Sequence, residues 1–137
     1  MRYRRLHVRY AAVAPSGHPW PFDDLWPTDR VRILVQASWR PEADLYETPT
    51  TIEAIVALPG IEEDDVDIQL FENVLVVEGQ RRLPVATPEV LYHTAGIRQG
   101  AFQIALALPA RIDPDGVQAR YDRGLLLITL PKRGATA

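Results

Sequence analysis

Apolar and polar residues alternate along most of the chain from Asp44 onward. Because successive side chains of a β-strand point to opposite faces of the sheet, this alternation predicts strands that each turn one apolar face to a core. Two further runs, at residues 74–77 and 125–130, are apolar nearly throughout, as strands covered on both faces tend to be. The apolar positions of the four alternating runs are Ile52, Ala54, Val56 and Leu58; Val66, Ile68 and Leu70; Phe102, Ile104, Leu106 and Leu108; and Val117, Ala119 and Tyr121.

Turn-forming residues separate these runs, among them Pro59-Gly60, Asp113-Pro114-Asp115-Gly116 and Asp122-Arg123-Gly124. About seven short strands without a strong helical pattern predict an all-β fold, an antiparallel β-sandwich. Residues 61–65 leave room for a single turn of helix at most.

One connection is much longer than an ordinary hairpin loop, because residues 81–100 separate two of the predicted strands. Within it, Val90-Leu91-Tyr92 is a short run with high β-propensity. A strand in such an excursion has no obvious partner in its own sheet, and exposed strand edges are usually covered. We therefore expect this segment to pair with another chain.

The first 38 residues differ in composition from the rest of the chain. They hold six arginines against three aspartates, whereas the remaining residues hold nine cations against fifteen carboxylates. Prolines between residues 15 and 27 exclude a long helix there. We predict that residues 1–38 form an irregular N-terminal arm, not a second domain. Its aromatic residues are candidates for contacts with other molecules: Tyr3, Tyr10, Trp20, Phe22 and Trp26.

Composition excludes several kinds of chemistry. The chain of 137 residues has no cysteine, which excludes disulfides, thiolate zinc sites and cysteine nucleophiles. His7, His18 and His93 lie far apart, without the spacing of metal ligands. The sequence has neither a glycine-rich phosphate loop nor a nucleophile elbow. We expect no enzyme, no cofactor and no metal site, and we interpret the acidic run at 62–67 as a solvated turn in preference to a calcium loop.

The sequence also bears on the compartment. No stretch approaches the roughly 18 apolar residues of a membrane span. The N-terminus is positively charged, but Pro15, Gly17 and Pro19 follow too soon for the apolar core of a signal peptide. We therefore expect a cytoplasmic protein.

Several segments, in their order and spacing, resemble the small heat-shock proteins, chains that contain an α-crystallin domain. The resemblance covers residues 39–132 and leaves 133–137 as a short C-terminal tail. It implies an immunoglobulin-like sandwich and an ATP-independent holdase that binds partly unfolded proteins under stress and keeps them from aggregating. The segments that carry it are 39–48 (WRPEADLYET), 57–61 (ALPGI), 73–79 (NVLVVEG), 100–102 (GAF), 107–109 (ALP) and 119–132 (ARYDRGLLLITLPK).

The resemblance also implies two interaction surfaces. In microbial members the long loop carries a strand that swaps into the partner's sheet and forms a homodimer, from which larger oligomers can assemble. This dimer strand maps onto Glu89, Val90, Leu91, Tyr92 and His93. A groove between two edge strands maps onto Val66, Ile68, Leu70, Val117 and Ala119, although the same alternation equally describes core residues.

Family members commonly end in a tail with an Ile-x-Ile or Ile-x-Val motif that fills a neighbour's groove, and residues 133–137 contain no such motif. The arm offers a substitute, because Val31, Ile33 and Val35 are spaced two apart and share one face of an extended chain. We hypothesise that this segment fills the groove. The alternative is an ordinary first strand of the sandwich.

Two rival functions come from other classes. Arg2, Arg4, Arg5 and Arg9 alternate with Tyr3 and Tyr10, a mixture suited to stacking on bases and contacting phosphates. Against nucleic-acid binding stand the small number of cations and the acidic remainder, with a pI near 5.6. The second rival is a β-sandwich interaction domain without chaperone activity.

Overall fold

The computed structural model describes residues 3–6, 8–10, 38–84 and 89–134, which form nine β-strands. No α-helix occurs among these residues; two short 3-10 turns lie at Glu63–Asp65 and Pro114–Gly116. The prediction of an all-β fold is confirmed, and so is the limit of one helical turn at 61–65. In chain order the strands are β1 (Tyr3–Leu6), β2 (Val8–Tyr10), β3 (Ala43–Glu47), β4 (Thr51–Ala57), β5 (Val66–Phe71), β6 (Val74–Arg81), β7 (Gly100–Ala107), β8 (Gln118–Asp122) and β9 (Leu125–Pro131).

The strands form two sheets that pack as a sandwich. One sheet has five strands in the order β1-β8-β9-β4-β3, and the other has four in the order β2-β5-β6-β7. Neighbouring strands are antiparallel except β2 and β5, which are parallel. The predicted antiparallel sandwich is therefore confirmed, with one parallel pair that the sequence did not predict.

The core lies between the sheets and follows the alternation of the sequence. In β4, Ile52, Ala54 and Val56 are buried, and the residues between them are half-buried. Full burial of a valine or isoleucine side chain such as Val56 or Ile52 contributes about 1.5–3 kcal/mol. The buried core residues that the two sheets share are Ile52, Ala54, Val56, Ile68, Leu70, Leu75, Val77, Phe102, Ile104, Ala119, Leu126, Ile128 and Leu130.

The two uniformly apolar runs behave differently. All four residues of 74–77 are buried, because Leu75 and Val77 enter the main core while Val74 and Val76 pack with Phe71 on the other face of the sheet. In β9 only alternate residues are buried. Both strands were expected to be covered on both faces. This prediction is confirmed for residues 74–77 of β6 and is wrong for β9, because the second face of β9 stays partly open to solvent.

Before β3 the chain crosses from the four-stranded sheet to the five-stranded sheet. Trp39 donates its backbone N–H to the carbonyl of Ala101 (2.9 Å) and accepts from the backbone N–H of Gln103 (3.0 Å). It thus makes a short parallel bridge to β7 at the edge of the four-stranded sheet. A few residues later β3 joins the edge of the five-stranded sheet, so residues 39–47 close one side of the sandwich.

The hairpin between β8 and β9 contains a strained residue. Arg123 (φ 56°) and Gly124 (φ 83°) both adopt the left-handed conformation that two-residue hairpins require. A side chain larger than glycine disfavours this conformation, and asparagine tolerates it better than arginine. We expect Arg123→Asn to raise the free energy of unfolding by about 0.5–1 kcal/mol, measured by urea denaturation.

The matched control is Arg111→Asn, which removes an exposed arginine from a position without a positive φ. It should leave stability within about 0.5 kcal/mol of the wild type. Equal effects of the two substitutions would contradict the strain at Arg123.

Candidate functional site: two edges of the sandwich

The first candidate surface is the side of the sandwich where β5 and β8 lie. β1 pairs with β8 and β2 pairs with β5, and only residue 7 separates β1 from β2. The sides of β5 and β8 that pair with β2 and β1 therefore lie next to each other, one in each sheet, and we call them the β5–β8 edge. The groove was predicted between two edge strands, which is wrong for the described residues, because β1 and β2 are the edge strands here and β5 and β8 lie one strand inward. All five predicted groove residues lie on or next to it: Val66, Ile68 and Leu70 on β5, Ala119 on β8, and Val117 just before β8.

The groove residues differ in burial. Ile68, Leu70 and Ala119 are 0%, 1% and 2% exposed and belong to the main core. Val66 and Val117 are half-buried and pack against the margin of that core. The structure thus brings the five residues together and leaves two of them accessible, and their role in binding stays a prediction.

The predicted arm is not irregular throughout. Tyr3 begins β1 and Tyr10 ends β2, so the first ten residues include two strands, which the sequence did not predict. The other predicted contacts of the arm lie outside the described residues, and their roles stay predictions. They are Trp20, Phe22, Trp26, Val31, Ile33 and Val35.

The second candidate surface is the opposite edge, formed by β3 and the long loop. In this single chain Glu89, Val90, Leu91, Tyr92 and His93 are exposed and belong to no strand. Leu91 is 77% exposed. Their expected role in the dimer stays a prediction, because it needs a second copy of the chain.

Two further apolar side chains are exposed, one in the long loop itself and one on β3. Ile97, which sequence analysis did not single out, is 65% exposed, and Tyr46 on β3 is half exposed. Among the described residues β3 pairs only with β4, so its outer edge is free. An ion pair between Lys132 and Glu47 holds the end of β3 in place. A free edge and an exposed apolar loop therefore lie at the same side of the sandwich.

The base of the long loop is held by Arg81, a buried cation that sequence analysis missed. Its side chain is 8% exposed, and its guanidinium carbon lies 4.3 Å from the centroid of the Trp39 ring. Its Nε donates to the carbonyl of Arg98 (2.8 Å), and a terminal nitrogen donates to the carbonyl of Pro59 (3.1 Å). Because Arg81 precedes the loop and Arg98 lies near its end, one side chain ties the two ends together.

Aromatic contacts extend this cluster. The rings of Trp39 and Phe102 lie 5.3 Å apart at 51°, and the Trp39 indole N–H donates to the carbonyl of Gly100 (3.2 Å). An open cavity of about 660 Å³ adjoins the cluster, and Arg40, Ile97 and Arg98 are among its lining residues. The cavity separates the base of the loop from the start of β3.

Tyr121 connects β8 to the turn after β4. Its hydroxyl donates to the backbone carbonyl of Leu58 at 2.5 Å. Burial removes water from the hydroxyl and raises the pKa of Tyr121 above its ordinary value of 10.0. The folded state therefore favours the protonated phenol.

We expect Tyr121→Phe to lower the free energy of unfolding by about 1 kcal/mol near neutral pH, because the carbonyl of Leu58 loses its donor. The pKa of Tyr121 is higher in the folded state than in the unfolded state, so this tyrosine's contribution is complete below pH 10 and is lost as the pH rises further. The difference between wild type and variant should therefore shrink above pH 10. Urea denaturation at neutral and alkaline pH measures it. Tyr46→Phe, at an exposed tyrosine, is the control, and a difference that grows with pH would contradict the prediction.

The described residues contain neither a metal-binding group of side chains nor a membrane-spanning helix. No group of three or more histidine, aspartate or glutamate side chains in that part of the chain is placed to hold a metal ion. No helix in the same part is long and apolar enough to cross a membrane.

The two-sheet sandwich with a long excursion between β6 and β7 matches a known class of proteins. Heat shock protein 16.0 from Schizosaccharomyces pombe superimposes with a TM-score of 0.66 at 28% identity, over 73% of this chain and 93% of that one. A small heat-shock protein from Xylella fastidiosa gives 0.63 at 32% identity, over 73% and 92%. The fold is therefore that of the small heat-shock proteins.

Sequence comparison gives the same result. Residues 44–137 match the Hsp20/alpha crystallin family, and the chain belongs to that family. Small heat shock protein C2 of Rickettsia felis is 36% identical over 93 residues, which cover 68% of this chain and 60% of that protein. The chain spans about 60% of the length of the first curated relatives it matches. The family is a class of chaperones, not of enzymes, and it confirms the resemblance that the sequence motifs indicated.

Proposed function

We propose that the chain is an ATP-independent holdase that binds partly unfolded proteins and prevents their aggregation. The family match over residues 44–137 carries this proposal. Exposed apolar side chains outside residues 89–93 support it, since Ile97 and Leu125 offer contact area to apolar segments of a client. Burial of apolar surface yields about 25 cal/mol per Å², so binding of this kind needs no bound nucleotide.

The test is light scattering of a heat-labile client, warmed with and without the chain and in the absence of ATP. Suppression at near-stoichiometric ratios is the expected result, and an unrelated protein of similar size at the same concentration is the control. If the client aggregates equally in both samples while the chain stays folded by circular dichroism, the holdase function is wrong.

We propose in addition that two copies form a dimer by exchanging residues 89–93. This segment has five residues, as has β3 (Ala43–Glu47), whose outer edge is free in the described chain. Pairing would satisfy the backbone N–H and C=O groups of that edge and cover the exposed Leu91. The small heat-shock protein from Xylella fastidiosa has a distinct high order structure. Because this chain belongs to the same family, we infer that it also self-associates.

The exchange makes a specific prediction for proline substitutions. Leu91→Pro removes a backbone donor inside the exchanged segment, and proline is excluded from paired positions of a sheet. We expect Leu91→Pro to sediment as a monomer at concentrations where the wild type is a dimer. Ala95→Pro, an exposed position in the same loop beyond the segment, is the control and should remain a dimer. Equal masses of Leu91→Pro and wild type would refute the exchange.

A further inference from the structure

The outer face of the four-stranded sheet carries three apolar side chains that are buried. Phe71, Val74 and Val76 lie on the face away from the main core, form a cluster of their own and are 4%, 3% and 0% exposed. We call these three residues the outer patch. Ala105 on β7 is the only other hydrophobic residue in the described part of the chain that packs against them. Side chains stand roughly perpendicular to a sheet, so neighbours within the same sheet cannot remove Val76 from water completely. A further layer therefore covers the outer patch.

The layer over the outer patch is local. Ala107 lies opposite Val74 in the register of β6 and β7 and is exposed, and Ala101 near the start of β7 is exposed as well. Ala105, opposite Val76, is half-buried. The covering layer therefore lies over β5 and β6 and ends before the outer margin of β7.

The connectivity of the chain brings residues 11–37 to this face. β2 ends at Tyr10, at one edge of the four-stranded sheet, and its direction, parallel to β5, carries the chain toward the end of the sheet where Phe71 lies. Trp39 bridges to Phe102 of β7, at the opposite edge and toward the opposite end of the same sheet. Residues 11–37 therefore connect two diagonally opposite corners of one sheet.

The shortest path between these corners crosses the outer face. Strand spacings of about 4.8 Å and a rise of about 3.3 Å per residue give a diagonal of roughly 25 Å. About eight extended residues span that distance, and the segment between Tyr10 and Ser38 is more than three times as long. The inner face of the sheet is filled by the main core, so the outer face is the one that the segment can cross. Enough residues remain to form a layer over the outer patch.

The other residues outside the described ranges are poorly placed to form this layer. Residues 85–88 are few and follow Arg81, at the end of β6 that lies farthest from Val74. Residues 135–137 come after β9, and residues 1–2 precede β1, and both of these strands belong to the five-stranded sheet. Residues 11–37 are therefore the segment that fits the position of the cover.

The composition of residues 11–37 also fits an apolar cover. Trp20, Phe22 and Trp26 lie close together near the middle of the segment. An aromatic side chain buries about 150–250 Å², so two or three of them suffice to cover three apolar side chains. Ten extended residues reach about 35 Å, which is enough to bring Trp20 from the end of β2 to the outer patch.

We propose that Trp20, Phe22 and Trp26 dock on the outer patch of their own chain and cover the outer face of β5 and β6. The sandwich then has a second apolar interface besides its core, between the four-stranded sheet and the segment that precedes the family domain. This docking rests on the burial of the outer patch and on the connectivity of the chain. It requires neither the proposed holdase function nor the proposed exchange of residues 89–93.

The reactivity of introduced thiols tests the docking, because the chain has no cysteine of its own. Val76→Cys places a thiol of similar size under the proposed cover, whereas Ala107→Cys places one on the exposed part of the same face. With Ellman's reagent under native conditions, we expect Val76→Cys to react about 100-fold more slowly than Ala107→Cys. Equal rates would overturn the docking.

Replacement of the aromatic residues identifies the cover. In the variant Trp20→Ser/Phe22→Ser/Trp26→Ser, the thiol of Val76→Cys should react nearly as fast as that of Ala107→Cys. Val77→Cys, whose side chain faces the main core, is the control for an intact sandwich and should stay unreactive with or without the three aromatic residues. If Val76→Cys keeps its protection in the serine variant, these aromatic residues are not the cover and the proposal is wrong.

Dilution distinguishes the chain's own segment from that of a second copy. Docking within one chain does not depend on protein concentration, whereas docking between copies does. The protection of Val76→Cys should therefore be the same at low and high protein concentration. Protection that disappears on dilution would show that another copy supplies the cover, and would overturn docking within the chain.

Limited proteolysis tests the same contact without cysteines. Val76→Thr keeps the volume of the side chain but places a hydroxyl under the apolar cover, which disfavours docking. Trypsin should then cleave after Arg30 and Arg32 about fivefold faster than in the wild type. Ala107→Thr, at the exposed position of the same face, is the control and should be cleaved at the rate of the wild type. If Val76→Thr and Ala107→Thr are cleaved equally fast, residues 11–37 do not dock on the outer patch.

Discussion

Replacement of Gly79 by alanine is expected to lower the free energy of unfolding by about 3 kcal/mol or more. A Cβ atom at this position would lie 2.0 Å from the carbonyl oxygen of Asp65 and 2.9 Å from the tip of the Phe102 ring. The first neighbour is backbone at the end of the 3-10 turn before β5, so it cannot rotate away as a side chain could. The main chain of β6 or of the turn would have to move.

Thermal and urea denaturation measure this effect, which corresponds to a fall of about 10 °C in Tm for a domain of this size. Gly96→Ala is the matched control, because a Cβ there meets no atom within 4 Å and the backbone has no positive φ. That variant should stay within about 0.5 kcal/mol of the wild type. If Gly79→Ala and Gly96→Ala are equally stable, the close approach between β6 and the 3-10 turn does not exist in solution.

The second large effect is expected at Arg81. Arg81→Met keeps the apolar stem of the side chain but removes the donors to the carbonyls of Pro59 and Arg98 and the cation over Trp39. Hydrogen bonds from charged donors are worth about 1.5–3 kcal/mol each, and water from the adjoining cavity compensates part of the loss. We expect the free energy of unfolding to fall by about 2–3 kcal/mol. Arg81→Lys, which keeps the charge, should recover part of it.

The same variant should affect the long loop more than the rest of the sandwich. Because Arg81 holds the base of the loop at Arg98, hydrogen exchange should accelerate at residues 89–98 in Arg81→Met, and the dissociation constant of the proposed dimer should rise.

Arg82→Met is the matched control for Arg81. It removes the neighbouring arginine, whose side chain is 70% exposed and makes a surface ion pair with Asp65 and a hydrogen bond to the side chain of Gln80, both at 3.3 Å. Such pairs contribute about 0–1 kcal/mol. Similar changes in Arg81→Met and Arg82→Met would contradict a special role for the buried guanidinium.

The sandwich itself could be predicted from local sequence pattern. Ile52, Ala54 and Val56 alternate with more polar residues, and the structure buries them in the main core. The hairpin turn could also be predicted, because Asp122-Arg123-Gly124 favours a turn and lies between an alternating run and a run that is apolar nearly throughout. Both are short-range signals, since side-chain alternation and turn conformation depend on neighbouring residues.

The candidate surfaces could be predicted only in part. The length of the 81–100 connection and its apolar run marked the loop that the structure leaves exposed at Leu91. The predicted groove residues lie on β5, on β8 and just before β8, and their role stays a prediction; alternation cannot distinguish a core residue such as Ile68 from an accessible one such as Val66. That difference depends on what packs over each position.

Sequence by itself determined the all-β class, most of the strands, the long loop and the family, because these follow from local periodicity, turn residues and short motifs. Tertiary structure alone decided the rest. The partners of Arg81 lie at Trp39, Pro59 and Arg98, far away along the chain, and no local pattern marks a cation for burial. Residues 3–6 and 8–10 form strands because β8 and β5 offer them unpaired edges, and such edges exist only once the two sheets have assembled.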